Sequence, residues 1–243
     1  MQVPPSQRAL SAVLGQPTTA FDGLLAVGAA VAELHGFDFC SSGLLPEEDR
    51  FVARAVEKRR REFTAGRSCA RVALRRLGAA PAAIGVGNFR EPLFPAGISG
   101  SITHTPEYCA AAVAWTGPVL SIGIDAEVNR PLDRSVADLV LSRTELREIG
   151  TISDGCHAET LIFSIKEAFF KAAFPFLRQY LEFSDVTVAL SGSNQTFHAS
   201  LRKEEMTARL RHARVVGRYR FDKRHLYTAV SLLQRSASDA GAA

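Results

Sequence analysis

The chain has 243 residues, of which 47% are hydrophobic and 22% charged, and its formal net charge is +4. That hydrophobic share excludes a disordered or fibrous chain and suffices for one large core or two modest ones. The small positive excess favours anionic partners, such as a polyphosphate metabolite or an acidic protein, without requiring nucleic acid.

Residues 1–19 carry Pro, Gln and Ser without periodicity, and residues 235–243 are small and polar, so both ends are expected to be flexible. An apolar run at 24–32 includes Ala30-Val31-Ala32, which looks like a signal-peptidase site. Asp22 abuts the run, however, only Arg8 flanks it with positive charge, and it is too short to span a bilayer. It reads as a first strand, and the expected location is the cytoplasm with no membrane partner. Cys40, Cys69, Cys109 and Cys156 are widely spaced with no CxxC pattern, which points to reduced, buried thiols.

Leu45-Pro46-Glu47-Glu48-Asp49 opens a helix with a proline and acids in its first turn. Its apolar stripe is Val52, Val56 and Phe63, and Arg59 falls on that stripe. Thr64 and Gly66 then interrupt, and a second helix is expected over 68–77, ending at Gly78. Residues 92–100 read as a shaped loop rich in Pro and Gly. Residues 109–115, the turn Thr116-Gly117-Pro118 and residues 119–124 read as a buried β-hairpin. Beyond it come helices at 134–149 and 156–174, then strands at 186–190, 197–201, 214–221 and 226–233. The halves 20–122 and 123–234 each offer helices and an antiparallel sheet, so the expected fold is an α+β pair of similar lobes with the chemistry near the seam.

The chemistry gathers in three places. Asp125 and Glu127 end the apolar run 119–124 and, two residues apart on a strand, share a face. Two such acids repel unless a cation lies between them, and oxygen-only ligands suit Mg²⁺ better than zinc. Glu167 and Lys171 stand one helical turn apart, which fits either an ordinary ion pair or a ligand with a phosphate-binding charge. The stretch from Gly97 to His104 combines a glycine turn, Ser99, Ser101 and Thr103 with a histidine, the donors that wrap phosphate oxygens. Among the arginines of residues 58–76, Arg59 and Arg67 stand out as half-buried candidates for a fixed anion.

Four blocks, RRREFTAGRSCARVALRRLG, REPLFPAGISGSITHT, IGIDAE and FSIKEAFFKA, occur in this order from Arg59 to Ala172. Together they resemble the phosphopantetheinyl transferases of the large, monomeric type, which activate carrier proteins of polyketide, nonribosomal-peptide and siderophore synthesis. The resemblance implies a pseudo-dimer of two related α+β lobes with coenzyme A between them. It implies that Arg59 and Arg67 hold the 3′-phosphate and adenine end of coenzyme A, that Ser101 and His104 contact its phosphates, and that Asp125, Glu127 and Glu167 bind Mg²⁺, with Mn²⁺ as an alternative. Lys171 would contact the transferred phosphate, Lys166 would flank the site, and Glu167 or a water would take the serine proton. Phe94 and Phe163 stand where many relatives have tryptophan. Phe89 replaces a basic residue of some relatives, so Arg90 is the substitute contact. The implied partners are apo acyl and peptidyl carrier proteins, docking near the loop after His104 and residues 142–152. Two rival readings explain less. A nucleic-acid module leaves the three acids without a task, and a noncatalytic scaffold would not need those acids and His104 all present.

Overall fold

The structure is a computed structural model that describes residues 18–36, 43–148, 155–191 and 194–236. In chain order its elements are β1 (Ala30–His35), the single turn α1 (Pro46–Asp49), α2 (Glu57–Arg76), β2 (Gly85–Val86), β3 (Pro92–Leu93), β4 (Ile98–His104), β5 (Tyr108–Trp115) and β6 (Val119–Val128). There follow α3 (Arg134–Val140), α4 (Arg143–Glu148), α5 (Ala158–Leu177), a 3₁₀ turn Phe183–Asp185, β7 (Val186–Ser191), β8 (Thr196–Leu201), α6 (Glu204–Leu210), β9 (Ala213–Phe221) and β10 (His225–Gln234). The class is α+β, as expected, with antiparallel sheets covered by helices. Among the described residues the strands form a three-stranded sheet of order β1-β5-β4, a five-stranded one of order β6-β10-β9-β8-β7 and the short pair β2-β3.

β5 explains why residues 109–115 are apolar throughout. Its alternate residues Cys109, Ala111 and Val113 pack under α2 with Ala70, Ala73 and Leu74. The intervening Tyr108, Ala110, Ala112 and Ala114 pack on Ile122, Ile124 and Ala126 of β6 and on Tyr227 and Ala229 of β10. A strand buried on both faces reads as a continuous apolar run. The hairpin inferred from that run does not form. β5 pairs with β1 and β4, whereas β6 pairs with β10. The turn Thr116-Gly117-Pro118 passes the chain from one sheet to the other, with Gly117 at φ +150°. Local hydrophobicity could not reveal this, because a buried hairpin and two packed strands have the same pattern.

Other boundaries moved for physical reasons. Gly66 does not break the first long helix, since α2 runs unbroken from Glu57 to Arg76. A Cβ at Gly66 would lie 3.0 Å from Ile102 Cγ2, so the glycine serves close packing of α2 on β4. Val56 is 74% exposed and caps the helix instead of lying on its apolar stripe. The first strand begins later than expected, at Ala30, after turns over residues 20–28. The helix expected over 134–149 is two, because Leu141 is extended at φ −96° and ψ 128°. Ser142 and Glu145 then start α4 reciprocally: Ser142 N–H donates to Glu145 Oε2 at 2.8 Å and Glu145 N–H to Ser142 Oγ at 3.3 Å. Ser-x-x-Glu is a legible start signal. The four expected C-terminal strands agree within a residue or two, and α6 is an addition.

α5 lies across β6 at the tightest approach in the fold. A Cβ at Gly123 would stand 2.0 Å from Ala168 O, so any side chain there would push away the helix that carries Glu167 and Lys171. The flexible ends expected at 1–19 and 235–243, like Cys40, lie mostly outside the described residues; Thr19, at the border, is 5% exposed and donates its hydroxyl to Asp22. Among the described residues no helix is long and apolar enough to cross a membrane.

Candidate active site

β4 and β6 are edge strands of different sheets, and side-chain hydroxyls join them where a ladder would otherwise run. Ser99, Ser101 and Thr103, at alternate positions of β4, accept hydrogen bonds from the N–H groups of Ile122 (3.0 Å), Ile124 (3.0 Å) and Ala126 (2.9 Å). This satisfies an otherwise open strand edge. It also fixes β4 against the segment that carries the acids.

Asp125, 4% exposed, sits at the centre. Lys171 Nζ donates to its Oδ1 at 2.6 Å and to Ile124 O at 3.2 Å, and Thr103 donates to the same Oδ1 at 3.2 Å. Ser164 of α5 donates to Oδ2 at 2.8 Å. Burial first, then repulsion from Asp125, pushes the Glu127 carboxyl up to about 7, and Glu167 adds to it. Burial and Asp125 also raise Glu167 against the opposing pull of Lys171. Burial works against charge on Lys171, but Asp125, Glu167 and Glu127 outweigh it and hold the ammonium above its ordinary range. His104 is held below its usual value by burial, with Arg59 and Lys171 lowering it further and Glu62 and Asp125 opposing them.

Among the described residues no three His, Cys, Asp or Glu side chains converge closely enough to enclose one ion. The donor set still fits a hard divalent cation. It consists of carboxyl oxygens, three carboxyl groups act on one ammonium, and two of the three are raised by burial and mutual repulsion. A consequence follows for stability. Pushed up from the usual carboxylate range to about 7, Glu127 holds a proton in the folded chain that the unfolded chain has released, so its contribution falls as pH rises through that window. With a chelator present, the thermal midpoint should drop across this range more steeply for wild type than for Glu127→Gln, and added Mg²⁺ should flatten the wild-type drop. Equal slopes with and without Mg²⁺ would remove the cation from this site.

A cavity of about 450 Å³ opens beside the acids, with Glu167 and Lys171 among its lining residues together with Ser101 and Arg90. Phe94, Phe170 and Phe174 line it as well, and Gly100 leaves room for the Phe94 ring. Phe89 stands against Phe174 and Tyr180, each at a centroid distance of 5.4 Å. Arg178 reaches Glu91 at 3.5 Å, and both also line the cavity. Phe170, Phe174 and Arg178 escaped the sequence reading, although they lie three, seven and eleven residues after Glu167, the spacing of one helix face. Phe163 does not join this wall; it packs on Phe183 at 5.5 Å.

Two of the expected site residues hold oxygen atoms of the chain itself. Arg67 is 6% exposed, donates from Nε to Ile84 O at 3.0 Å and from Nη2 to Gly85 O at 3.1 Å, and lies 4.0 Å over the Phe63 ring. Burial brings it down to about 10. Carbonyl oxygens and an aromatic face thus stand where a fixed anion was expected. Lys166, 2% exposed, donates to Val140 O (2.8 Å), Glu145 Oε2 (3.0 Å) and Phe183 O (3.1 Å). Because it is next to Glu167 on a helix, it points about 100° away, into the core. Arg59 is half exposed and pairs with Glu62 at 3.8 Å beside His104. Ser101 lines the cavity, but its hydroxyl is engaged by Ile124.

Residues 47–114 match the family model described as 4′-phosphopantetheinyl transferase N-terminal domain, and residues 121–225 match that of the 4′-phosphopantetheinyl transferase superfamily. The chain is 40% identical over 163 residues to 4′-phosphopantetheinyl transferase Npt of Nocardia iowensis, covering 64% of this chain and 73% of the relative. It is 39% identical over 173 residues to 4′-phosphopantetheinyl transferase PptT of Mycobacterium tuberculosis, covering 71% and 74%. It is 34% identical over 143 residues to enterobactin synthase component D of Escherichia coli, covering 56% and 66%. With both halves matched and relatives of 40% and 39% identity covered over 73% and 74% of their length, the chain belongs to the 4′-phosphopantetheinyl transferase superfamily.

Proposed function

We propose that this enzyme transfers the 4′-phosphopantetheine group of coenzyme A to a serine of apo acyl and peptidyl carrier proteins, acting as a monomer in the cytoplasm. The observation that carries the reading is the meeting of Asp125, Glu127, Glu167 and Lys171 beside the 450 Å³ cavity. In the reaction the serine oxygen bonds to the phosphorus that bears pantetheine, the bond from that phosphorus to the bridging pyrophosphate oxygen breaks, and 3′,5′-ADP leaves. Mg²⁺, or Mn²⁺, held by Asp125, Glu127 and Glu167 would supply charge neutralisation for the pyrophosphate.

The chain's own groups do the rest. Glu167, directly or through a water, takes the serine proton, a role helped by its raised carboxyl. Lys171, kept cationic by three acids, faces the transferred phosphate. Arg59, Arg90 and His104 supply positive or donor groups for the remaining phosphates of coenzyme A, and the phenylalanine wall takes its apolar portion. For the carrier, an acidic helical protein, the surface around α3 and α4 is suited by charge and polarity. There Leu139 and Leu146 are 74% and 52% exposed among Arg134, Arg143 and Arg147.

The test is direct. Purified protein incubated with apo carrier proteins, coenzyme A and Mg²⁺ should raise the carrier's intact mass by one phosphopantetheine, and a chelator should stop it. A carrier that stays unmodified with Mg²⁺ present would end this reading.

A further inference from the structure

Two buried hydroxyls have no place in the chemistry above, and both bear on Asp125. Ser164 Oγ donates to Asp125 Oδ2 at 2.8 Å and lies 2.8 Å from Thr228 Oγ1. Thr228 stands opposite Asp125 in the β6–β10 pairing, and both hydroxyl residues are 0% exposed. Thr228 Oγ1 also lies 3.0 Å from Ser164 O and 3.5 Å from Asp125 O.

A proton count gives the chain a direction. Asp125 accepts from Lys171 and Thr103 at Oδ1 and from Ser164 at Oδ2, so the single Ser164 proton is committed to Oδ2. With that proton spent, Thr228 is the donor that remains for the 2.8 Å contact, its one proton shared between Ser164 Oγ and Ser164 O at 3.0 Å. Polarisation therefore runs from Thr228 to Ser164 to Asp125, each bond strengthening the next in a site closed to water. Oδ2 is thereby held by α5, while Oδ1 accepts from both Lys171 and Thr103.

We propose that Ser164 and Thr228 are positioning residues that hold the Asp125 carboxylate in one orientation through Oδ2, the orientation in which it would meet the divalent cation. This rests on Asp125 being a cation ligand. Groups that orient a ligating carboxylate typically change metal affinity by about 10–100-fold when removed. Thr228→Val keeps the shape and deletes the proton, whereas Thr228→Ser keeps it; Ser164→Ala deletes the middle of the chain.

The experiment measures Mn²⁺ binding to the enzyme with coenzyme A by calorimetry, the Mg²⁺ concentration for half-maximal transfer, kcat at saturating Mg²⁺, and the thermal midpoint. Thr228→Val and Ser164→Ala should weaken Mn²⁺ binding and raise the Mg²⁺ requirement about 10-fold. Thr228→Ser should stay within about 2-fold of wild type, and kcat at saturating Mg²⁺ should change far less than the metal requirement. Wild-type Mn²⁺ affinity in both Thr228→Val and Ser164→Ala would overturn the proposal while leaving the metal site intact. A wild-type enzyme that binds no Mn²⁺ and ignores chelators would instead overturn the cation-ligand reading of Asp125, and this proposal with it.

Discussion

Asp125→Asn is expected to lower carrier modification by on the order of 10²–10³-fold or more, the usual scale for deleting one preorganised charge-stabilising group. The carboxylate is buried, and three donors meet it: Lys171, Thr103 and Ser164. Asparagine preserves the volume and one acceptor oxygen but removes the negative charge that holds Lys171 and would hold the cation. Fold loss should be limited, because Ser164 can reverse its hydroxyl to accept from the new amide while Thr228 donates to Ser164 O instead. Loss of hydrogen bonds to a charged group costs about 1.5–3 kcal/mol each at most, so the thermal midpoint should fall by roughly 5–10 °C while circular dichroism at 25 °C stays that of wild type. Wild-type transfer rates in Asp125→Asn would remove the acid cluster from the mechanism.

The sequence made this residue visible because a strand's period of two and a helix's turn of four residues are local facts. Asp125 with Glu127, and Glu167 with Lys171, follow from spacing alone, and so do the α+β class and the C-terminal strands. Pairing partners are not local. β5 and β6 could have been a hairpin, and only the competition among β1, β4 and β10 for their edges decides otherwise. The partners that Arg67 and Lys166 hold were hidden for the same reason. A cationic side chain can turn either toward a ligand or toward carbonyl oxygens, and Ile84, Gly85, Val140 and Phe183 are distant along the chain. The Ser-x-Ser-x-Thr alternation of β4 was readable as three hydroxyls on one face. That they would take the N–H groups of β6 depended on the second sheet's edge lying beside them.

Lys166→Met should unfold the protein more readily without altering its affinity for coenzyme A. Lys166 and Glu145 are 2% and 1% exposed and form a hub: Lys166 reaches the end of α3, α4 and the 3₁₀ turn, while Glu145 also accepts from Val188 N–H of β7 at 2.9 Å. Removing the ammonium leaves a buried carboxylate whose remaining partners are two neutral N–H groups, those of Ser142 and Val188. Breaking a buried pair in this way costs about 3–5 kcal/mol, a fall of roughly 10 °C in the midpoint for a chain of this size. Burial depresses the lysine's proton affinity and its partner Glu145 opposes that, so the pair survives only as a pair. The double variant Lys166→Met, Glu145→Gln should therefore be more stable than the two single losses added together. If Lys166→Met instead kept wild-type stability and raised the KM for coenzyme A, its ammonium would belong to the cofactor site. Its three oxygen partners belong to the end of α3, to α4 and to the 3₁₀ turn, which is why the loss is expected in stability.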